Sequence, residues 1–92
     1  MTASAHSVID RPEQSRFELQ LDGELAGWLD YRPAGDNVIL AHTEVMEEHE
    51  GKGLGGILVR HALDAIRADG KGIIATCPFA RAYIARHPEL EG

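Results

Sequence analysis

A glycine-rich stretch lies at the centre of the sequence, between two segments of opposite character. It reads Glu50-Gly51-Lys52-Gly53-Leu54-Gly55-Gly56. Residues 38–45 before it are rich in β-branched and apolar residues, as in a strand, whereas residues 54–69 after it carry helix-forming residues at helical spacing. The glycines are therefore predicted to form a strand-to-helix turn. Such a turn presents backbone N–H groups at a helix N-terminus, which favours a phosphate or pyrophosphate.

Two common phosphate-binding patterns do not account for this turn. Gly51, Gly53 and Gly56 have the spacing of dinucleotide-binding glycines, but residues 46–50 separate them from the strand. The next apolar run, residues 73–77, also ends without the carboxylate that such sites require. The Walker pattern requires Lys-Ser or Lys-Thr after the last glycine, and this sequence has neither there.

The segments before the turn predict an antiparallel meander. Residues 16–21 alternate polar and apolar residues, and Asp22-Gly23 leads as a hairpin turn into a second strand at 24–32. Residues 33–37 form the next turn, and the strand at 38–45 completes the meander.

The segments after the turn predict a helix and a parallel strand, which makes the fold class α/β (α+β). The helix has one apolar face, formed by Leu54, Leu58, Ala62, Ala65 and Ile66. Gly70-Lys71-Gly72 ends it, and residues 73–76 form a short buried strand. This crossover predicts that Val45 and Cys77 end on the same edge of the sheet. Residues 80–87 are predicted to form a final short helix.

Length and composition predict one small domain. The chain has 92 residues, of which 43% are hydrophobic, and a net charge of −6. We expect a loose, flexible leader at residues 1–14, anchored by Val8 and Ile9, and a single domain at residues 15–92. The negative charge argues against nucleic acid as a partner, and no run reaches the roughly 18 apolar residues of a membrane span. One cysteine fits a reducing compartment, for which we expect the cytoplasm.

Several short sequence motifs, in their order along the chain, resemble those of the GNAT superfamily of N-acetyltransferases. They are His42-Thr43-Glu44-Val45, Glu50-Gly51-Lys52-Gly53 and Cys77-Pro78-Phe79 with Tyr83-Ile84-Ala85-Arg86-His87-Pro88. The resemblance covers residues 17–88 and is to a compact single-domain subfamily, although Arg or Gln is usual where this chain has Glu50. It implies a GNAT-like fold, acetyl-CoA as cofactor, and acetyl transfer to a small-molecule or peptide amine.

The resemblance also implies cofactor-binding residues. The glycine turn is expected to hold the cofactor phosphates, and the last backbone amide of the preceding strand, that of Val45 or Met46, is expected to polarise the thioester carbonyl. Arg81 and Tyr83 follow the Cys77-Pro78 turn, although a packing role suits Tyr83 equally well. The expected cofactor-binding residues are Val45, Met46, Gly51, Lys52, Gly53, Leu54, Gly55, Gly56, Arg81 and Tyr83.

Cys77 and His42 are the candidate catalytic residues. The resemblance implies that Cys77 faces the acetyl group, and a small buried hydrophobe is the alternative. Direct attack by the amine is favoured over an acetyl-cysteine, because no base beside Cys77 is identifiable. His42 and Glu44 share one strand face, so they either relay a proton or form a structural hydrogen bond. The scattered histidines predict no zinc site.

Two other functions remain open from the sequence. The first is a noncatalytic acyl-CoA-binding module, because a minimal fold has few loops for an acceptor. The second is a protein-interaction domain that has kept only the fold. We expect a monomer or a weak homodimer, and the acceptor amine is not identified by the sequence.

Overall fold

The computed structural model describes residues 6–88 of the chain. Its helices and strands are β1 (His6–Arg11), β2 (Arg16–Leu21), β3 (Glu24–Ala34), β4 (Asn37–Val45), α1 (Leu54–Ala68), β5 (Gly72–Ala75) and α2 (Pro78–Arg86). Within this range the strands form one sheet in the order β1-β2-β3-β4-β5, in which β5 is parallel to β4 and the other pairs are antiparallel. The predicted meander, crossover and parallel strand are confirmed.

Strand β1 corrects the prediction of a loose leader at residues 1–14. His6–Arg11 pairs antiparallel along the whole of β2, Val8 packs against the core, and a 3-10 turn at Pro12–Gln14 joins the two strands. The polar residues that indicated a loop are partly cross-strand partners, since Arg11 Nε lies 3.2 Å from Glu18 Oε1 of β2. Residues 1–5 of the predicted leader lie outside the described residues.

The hydrophobic core lies between one face of the sheet and α1. The sheet contributes Leu19, Leu29 and Leu40, which are fully buried. Helix α1 buries Leu54, Leu58, Val59, Ala62, Leu63 and Ile66. The predicted apolar face is thus confirmed except for Ala65, which is exposed. The buried face is wider than predicted because α1 contacts α2 as well as the sheet.

The opposite face of the sheet carries a charged cluster around Glu18, which is 8% exposed. Its carboxylate accepts hydrogen bonds from Arg16 and Arg11. The Arg16 hydrogen bond lowers the pKa of Glu18, burial opposes this effect, and the Arg11 hydrogen bond adds to it, so that the pKa is lowered overall. Arg16 also lies 5.4 Å from the centre of the Trp28 ring, within cation–π range.

A bulge and the end of the β5 pairing open the sheet next to the glycine turn. Leu40 pairs with Tyr31 and His42 with Asp30, so Ala41 has no partner on β3. Strand β5 pairs with β4 only as far as Leu40, whose carbonyl accepts hydrogen bonds from the N–H groups of Thr76 and Cys77. In the described structure, residues 41–45 of β4 therefore have no β5 partner.

The boundaries of the elements differ from the prediction by one to two residues. Helix α2 begins at Pro78 rather than at residue 80, because proline is well tolerated in the first turn of a helix. The turn predicted at residues 33–37 is shorter, since β3 extends to Ala34 and β4 begins at Asn37. Between residues 6 and 88, no helix has the length and apolar character needed to cross a membrane.

Candidate active site

The glycine turn adopts backbone angles that favour glycine. Gly51 and Gly53 have φ values of 84° and 73°, and a Cβ at either position would meet nothing within 4 Å. Gly53 is the N-cap of α1, and no side chain caps this helix. Because the first N–H groups of a helix have no intrahelical partner, the turn presents those of Leu54, Gly55 and Gly56 to an anion.

Gly55 and Gly56 lack a side chain for a different reason. A Cβ at Gly55 would lie 2.7 Å from Phe79 Cζ, and one at Gly56 would lie 2.6 Å from Tyr83 Cε2. Both distances are too short for two carbon atoms that are not bonded to each other. Their missing side chains therefore make room for α2 rather than for a ligand, and only their backbone N–H groups are available to bind one.

A cleft of about 350 Å³ extends from the end of β4, past the glycine turn, to α2. It is lined by most of the predicted cofactor-binding residues, namely Val45, Gly51, Gly53, Leu54, Gly55, Gly56 and Tyr83. His49, Glu50, Phe79 and Arg86 also line it and were not predicted to do so. One face of α2 contributes Phe79, Tyr83 and Arg86, which have the i, i+4, i+7 spacing of a helix face. This spacing alone does not identify them as site residues, because the sequence does not show which face of α2 points toward the cleft.

Three residues that were predicted to bind the cofactor do not line this cleft. The N–H of Met46 donates to the Ala26 carbonyl at 2.8 Å, so it belongs to the pairing with β3. Lys52 is exposed, and its Nζ lies 3.3 Å from His49 Nδ1. Arg81 lines a separate cavity of about 360 Å³, formed with residues of α1 and β5.

The hydrogen-bond pattern of β4 shows which backbone donor is available at its end. Hydrogen-bonded and non-hydrogen-bonded pairs alternate along antiparallel strands. Since Met46 donates to Ala26, the neighbouring pair of Val45 with Gly27 is non-hydrogen-bonded. The N–H of Val45 therefore points away from β3, toward the side where β5 has left the sheet. Of the two amides predicted to polarise a carbonyl, only that of Val45 remains available.

Cys77 lies where β5 ends, as the N-cap of α2. The residue is 2% exposed and does not line the cleft. Its Sγ lies 3.5 Å from the Thr43 hydroxyl oxygen, so the thiol contacts the open segment of β4 two residues before Val45. Thr43 was not predicted as a site residue. Its sequence signals are that it shares one strand face with Val45 and that it belongs to the motif His42-Thr43-Glu44-Val45.

The environment of Cys77 makes its thiol more acidic than an ordinary one. Burial raises the pKa of the Cys77 thiol, but hydrogen bonds with the Thr43 hydroxyl and with the backbone N–H groups of Ala80, Phe79 and Thr43 outweigh burial and lower it. Two of these N–H groups belong to the first turn of α2, where the helix dipole also favours a thiolate. No base is among these partners of the sulfur.

His42 and Glu44 form the predicted pair, with 3.0 Å between Nε2 and Oε1. Their side chains are 57% and 47% exposed. Because side chains alternate along a strand, this pair lies on the opposite face of β4 from Thr43 and Val45. The structure therefore does not bring His42 and Cys77 together.

Sequence comparisons find relatives among acetyltransferases. A model of the family described as GCN5-related N-acetyl-transferase matches residues 16–92. Streptothricin acetyltransferase of Streptomyces lavendulae is 40% identical over 53 residues, which cover 55% of this chain and 28% of that protein. The chain thus spans less than a third of the length of that relative.

Structural comparisons find the same fold in several solved acetyltransferases. A GCN5-like protein from Staphylococcus aureus has a TM-score of 0.72 at 21% identity, covering 92% of this chain and 83% of that one. The ribosomal-protein-S18-alanine N-acetyltransferase of Escherichia coli has a TM-score of 0.67 at 21% identity, covering 77% and 49%. PaiA N-acetyltransferase of Thermoplasma acidophilum, solved in complex with coenzyme A, has a TM-score of 0.57 at 18% identity, covering 61% and 35%.

Proposed function

Because this chain belongs to the GCN5-related N-acetyltransferase family, we propose that it transfers an acetyl group from acetyl-CoA to a small-molecule or peptide amine. One observation carries the proposal: the uncapped N-terminus of α1 opens into a cleft that extends to Val45. Acetyl transfer needs an anchor for the cofactor phosphates, a donor for the carbonyl oxygen and a route for a proton. We assign these tasks to the glycine turn, Val45 and Cys77.

The glycine turn fits the pyrophosphate of acetyl-CoA. The N–H groups of Leu54, Gly55 and Gly56, together with the dipole of α1, favour an anion. Gly51 and Gly53 leave the adjoining space free of side chains. Backbone donors suit a chain with a net charge of −6, which has few cationic side chains to offer. The phosphates are therefore held chiefly by backbone groups.

Val45 and Cys77 are proposed to act on the reacting atoms. Acetyl-CoA supplies, when bound, an acetyl group that is activated as a thioester. The N–H of Val45 donates to the thioester carbonyl and stabilises the charge that develops on its oxygen. The acidic Cys77 thiol, held by Thr43, gives a proton to the departing sulfur. Attack by the amine is proposed to be direct, because transfer of the acetyl group from one thioester to another gains little free energy and no base is among the partners of Cys77.

The His42–Glu44 pair is proposed to exchange protons with solvent rather than to contact the cofactor. Both side chains are exposed, and they lie on the face of β4 opposite the cleft. We propose that the pair takes up, through solvent rather than by direct contact, the proton that the amine loses.

A noncatalytic acyl-CoA-binding module is the second candidate function. The observation that favours it is the burial of Cys77, which does not line the cleft. In such a module the glycine turn would bind the cofactor, whereas Cys77 would serve only as a small buried residue of the core. The two functions share the cofactor site and differ in turnover.

A release assay for free CoA thiol distinguishes the two functions. Acetyl-CoA is incubated with the protein and with polyamines, small amines and peptides, and calorimetry measures acetyl-CoA affinity separately. We expect amine-dependent thiol release by the parent. Cys77→Ala is expected to lower turnover by at least about tenfold, as for the loss of a proton donor, while acetyl-CoA affinity stays near that of the parent.

The outcomes separate the alternatives. Binding without release for every amine class would favour the noncatalytic module. Parent-like turnover in Cys77→Ala would remove this residue from the chemistry. Intact-mass measurement with acetyl-CoA and no amine tests the order of steps, since an acetylated Cys77 that then acetylates an added amine would contradict direct transfer.

Compartment and assembly belong to the same proposal. The single cysteine is free and buried, which suits the reducing cytoplasm. The glycine turn, Val45 and Cys77 all come from one chain, so a monomer or a weak homodimer suffices for the proposed reaction.

A further inference from the structure

Helix α2 forms one wall of the cleft and leads away from Cys77. Cys77 is its N-cap, and Phe79, Tyr83 and Arg86 line the cleft along one helix face. At 1.5 Å per residue, Arg86 lies about 13 Å along the helix axis from Cys77. Arg86 therefore lies at the end of the cleft farthest from the proposed reaction.

Contacts between the helices hold α2 beside the proposed pyrophosphate position. Gly55 packs against Phe79 and Gly56 against Tyr83, so the first turn of α1 lies beside the middle of α2. Tyr83 is held in place because its hydroxyl accepts a hydrogen bond from Arg60 Nε at 3.0 Å. Arg86 follows Tyr83 by about one helical turn. Arg86 lines the same cleft as Gly51 and Gly53, so its side chain is available to a second anionic group in that cleft.

The electrostatics of the cleft make Arg86 distinctive. It is the one arginine or lysine among the described residues that line the cleft, and Glu50 contributes an opposing charge. The chain as a whole carries −6. An anionic ligand with charge beyond the reach of the glycine turn therefore needs a local cation, and a guanidinium matches the geometry of a phosphate.

We propose that Arg86 binds the 3′-phosphate of coenzyme A. The inference rests on the proposed function, since it assigns a second phosphate of the same cofactor to the same cleft. The glycine turn holds the pyrophosphate, and Arg86 pairs with the ribose phosphate that distinguishes CoA from dephospho-CoA. The protein thereby selects CoA thioesters over their dephospho forms.

Calorimetric titration with CoA and with dephospho-CoA tests this assignment. We expect the parent to bind CoA about tenfold more tightly, the scale of one charge-assisted phosphate contact at an exposed site. Arg86→Gln should lose this preference and bind dephospho-CoA as the parent does. Arg81→Gln is the matched control, because it removes a guanidinium from the same helix but from a different cavity, and it should keep the preference.

Each outcome decides the assignment. Equal affinities in the parent would overturn the 3′-phosphate contact and leave the proposed function standing. An Arg86→Gln variant that loses affinity equally for both ligands would show that Arg86 contacts the pyrophosphate or only stabilises the last turn of α2, and thermal unfolding separates these two cases. Failure of the parent to bind either ligand would overturn both proposals.

Discussion

Replacing Gly56 with alanine tests the close contact between α1 and α2. The added Cβ would lie 2.6 Å from Tyr83 Cε2. Unstrained carbon contacts need about 3.5–4.0 Å, so the Tyr83 ring would have to move by about 1 Å. The ring is not free to do so, because Arg60 donates to its hydroxyl and the His87 ring stacks on it with 4.2 Å between centroids.

The expected loss of stability follows from two opposing effects. Overpacking costs about 1–3 kcal/mol, whereas the better helix propensity of alanine recovers at most about 1 kcal/mol. Gly56→Ala should therefore lower the free energy of unfolding by about 1 kcal/mol. For a domain of this size, that change lowers Tm by roughly 4–8 °C. Thermal unfolding followed by circular dichroism measures it.

Gly55→Ala is the matched control, since it changes the adjacent residue of the same helix turn. Its Cβ would meet the far end of Phe79, a side chain that is 40% exposed and can swing into solvent. The helix-propensity gain then meets little opposition, and Tm should stay within about 2 °C of the parent or rise. Equal losses in both variants, or a raised Tm for Gly56→Ala, would refute this explanation of Gly56.

Three further tests, with four substitutions, address the cofactor anchor, the thiol and the charged face of the sheet. Gly53→Asp should weaken acetyl-CoA binding at least about tenfold in calorimetry, because the new carboxylate repels the phosphates. Lys52 is exposed, so Lys52→Ala should change the affinity less than about threefold. Parent-like binding by Gly53→Asp would refute the anion site. Thr43→Val removes a hydrogen bond that lowers the pKa of Cys77. If the Cys77 thiol is the proton donor, kcat falls at alkaline pH as the thiol loses its proton, and this fall should move to higher pH in the variant. An unmoved pH profile of kcat would exclude Cys77 as the proton donor. Glu18→Gln should cost about 1–2 kcal/mol of unfolding free energy at pH 7. Because the folded pKa of Glu18 is depressed, that stability is present above the ordinary value of 4.5 and is lost as pH falls through the lowered pKa, so equal losses at pH 7 and pH 3 would contradict the ion-pair account.

Strands and helices with local signals could be predicted from the sequence, whereas β1 could not. Strand β2 shows alternation, and α1 shows helical spacing between two glycine-rich stops. Strand β1 gains its order from pairing with β2, and its polar Arg11 has its partner, Glu18, on that strand. Single-sequence patterns do not contain such a cross-strand partner, so the segment resembled a loop.

The same limit applies to the candidate site. In a regular strand Leu40 and His42 would share a face, but the unpaired Ala41 reverses the alternation. This bulge leaves His42 exposed and brings Thr43 next to Cys77. Predicting the change requires the register of β3 against β4, which no local pattern specifies.

The α2 residues illustrate a second missing piece of information. Arg81, Tyr83 and Arg86 all lie on this helix, and only its orientation against α1 decides that Tyr83 and Arg86 line the cleft and Arg81 does not. Gly55 and Gly56 set that orientation by admitting the aromatic rings of α2. Glycines that first indicate a phosphate site therefore also determine how the two helices pack.

Amide NMR titration of the isotope-labelled chain with acetyl-CoA tests the central claim most directly, because it reports on each backbone N–H separately. We predict saturable shifts for Val45 and for Leu54, Gly55 and Gly56, whose N–H groups are expected to donate to the carbonyl and the pyrophosphate. The amide of Arg67, beside the separate cavity, should not change. Absence of saturable shifts, or shifts centred on that separate cavity while the glycine turn stays unchanged, would contradict the account.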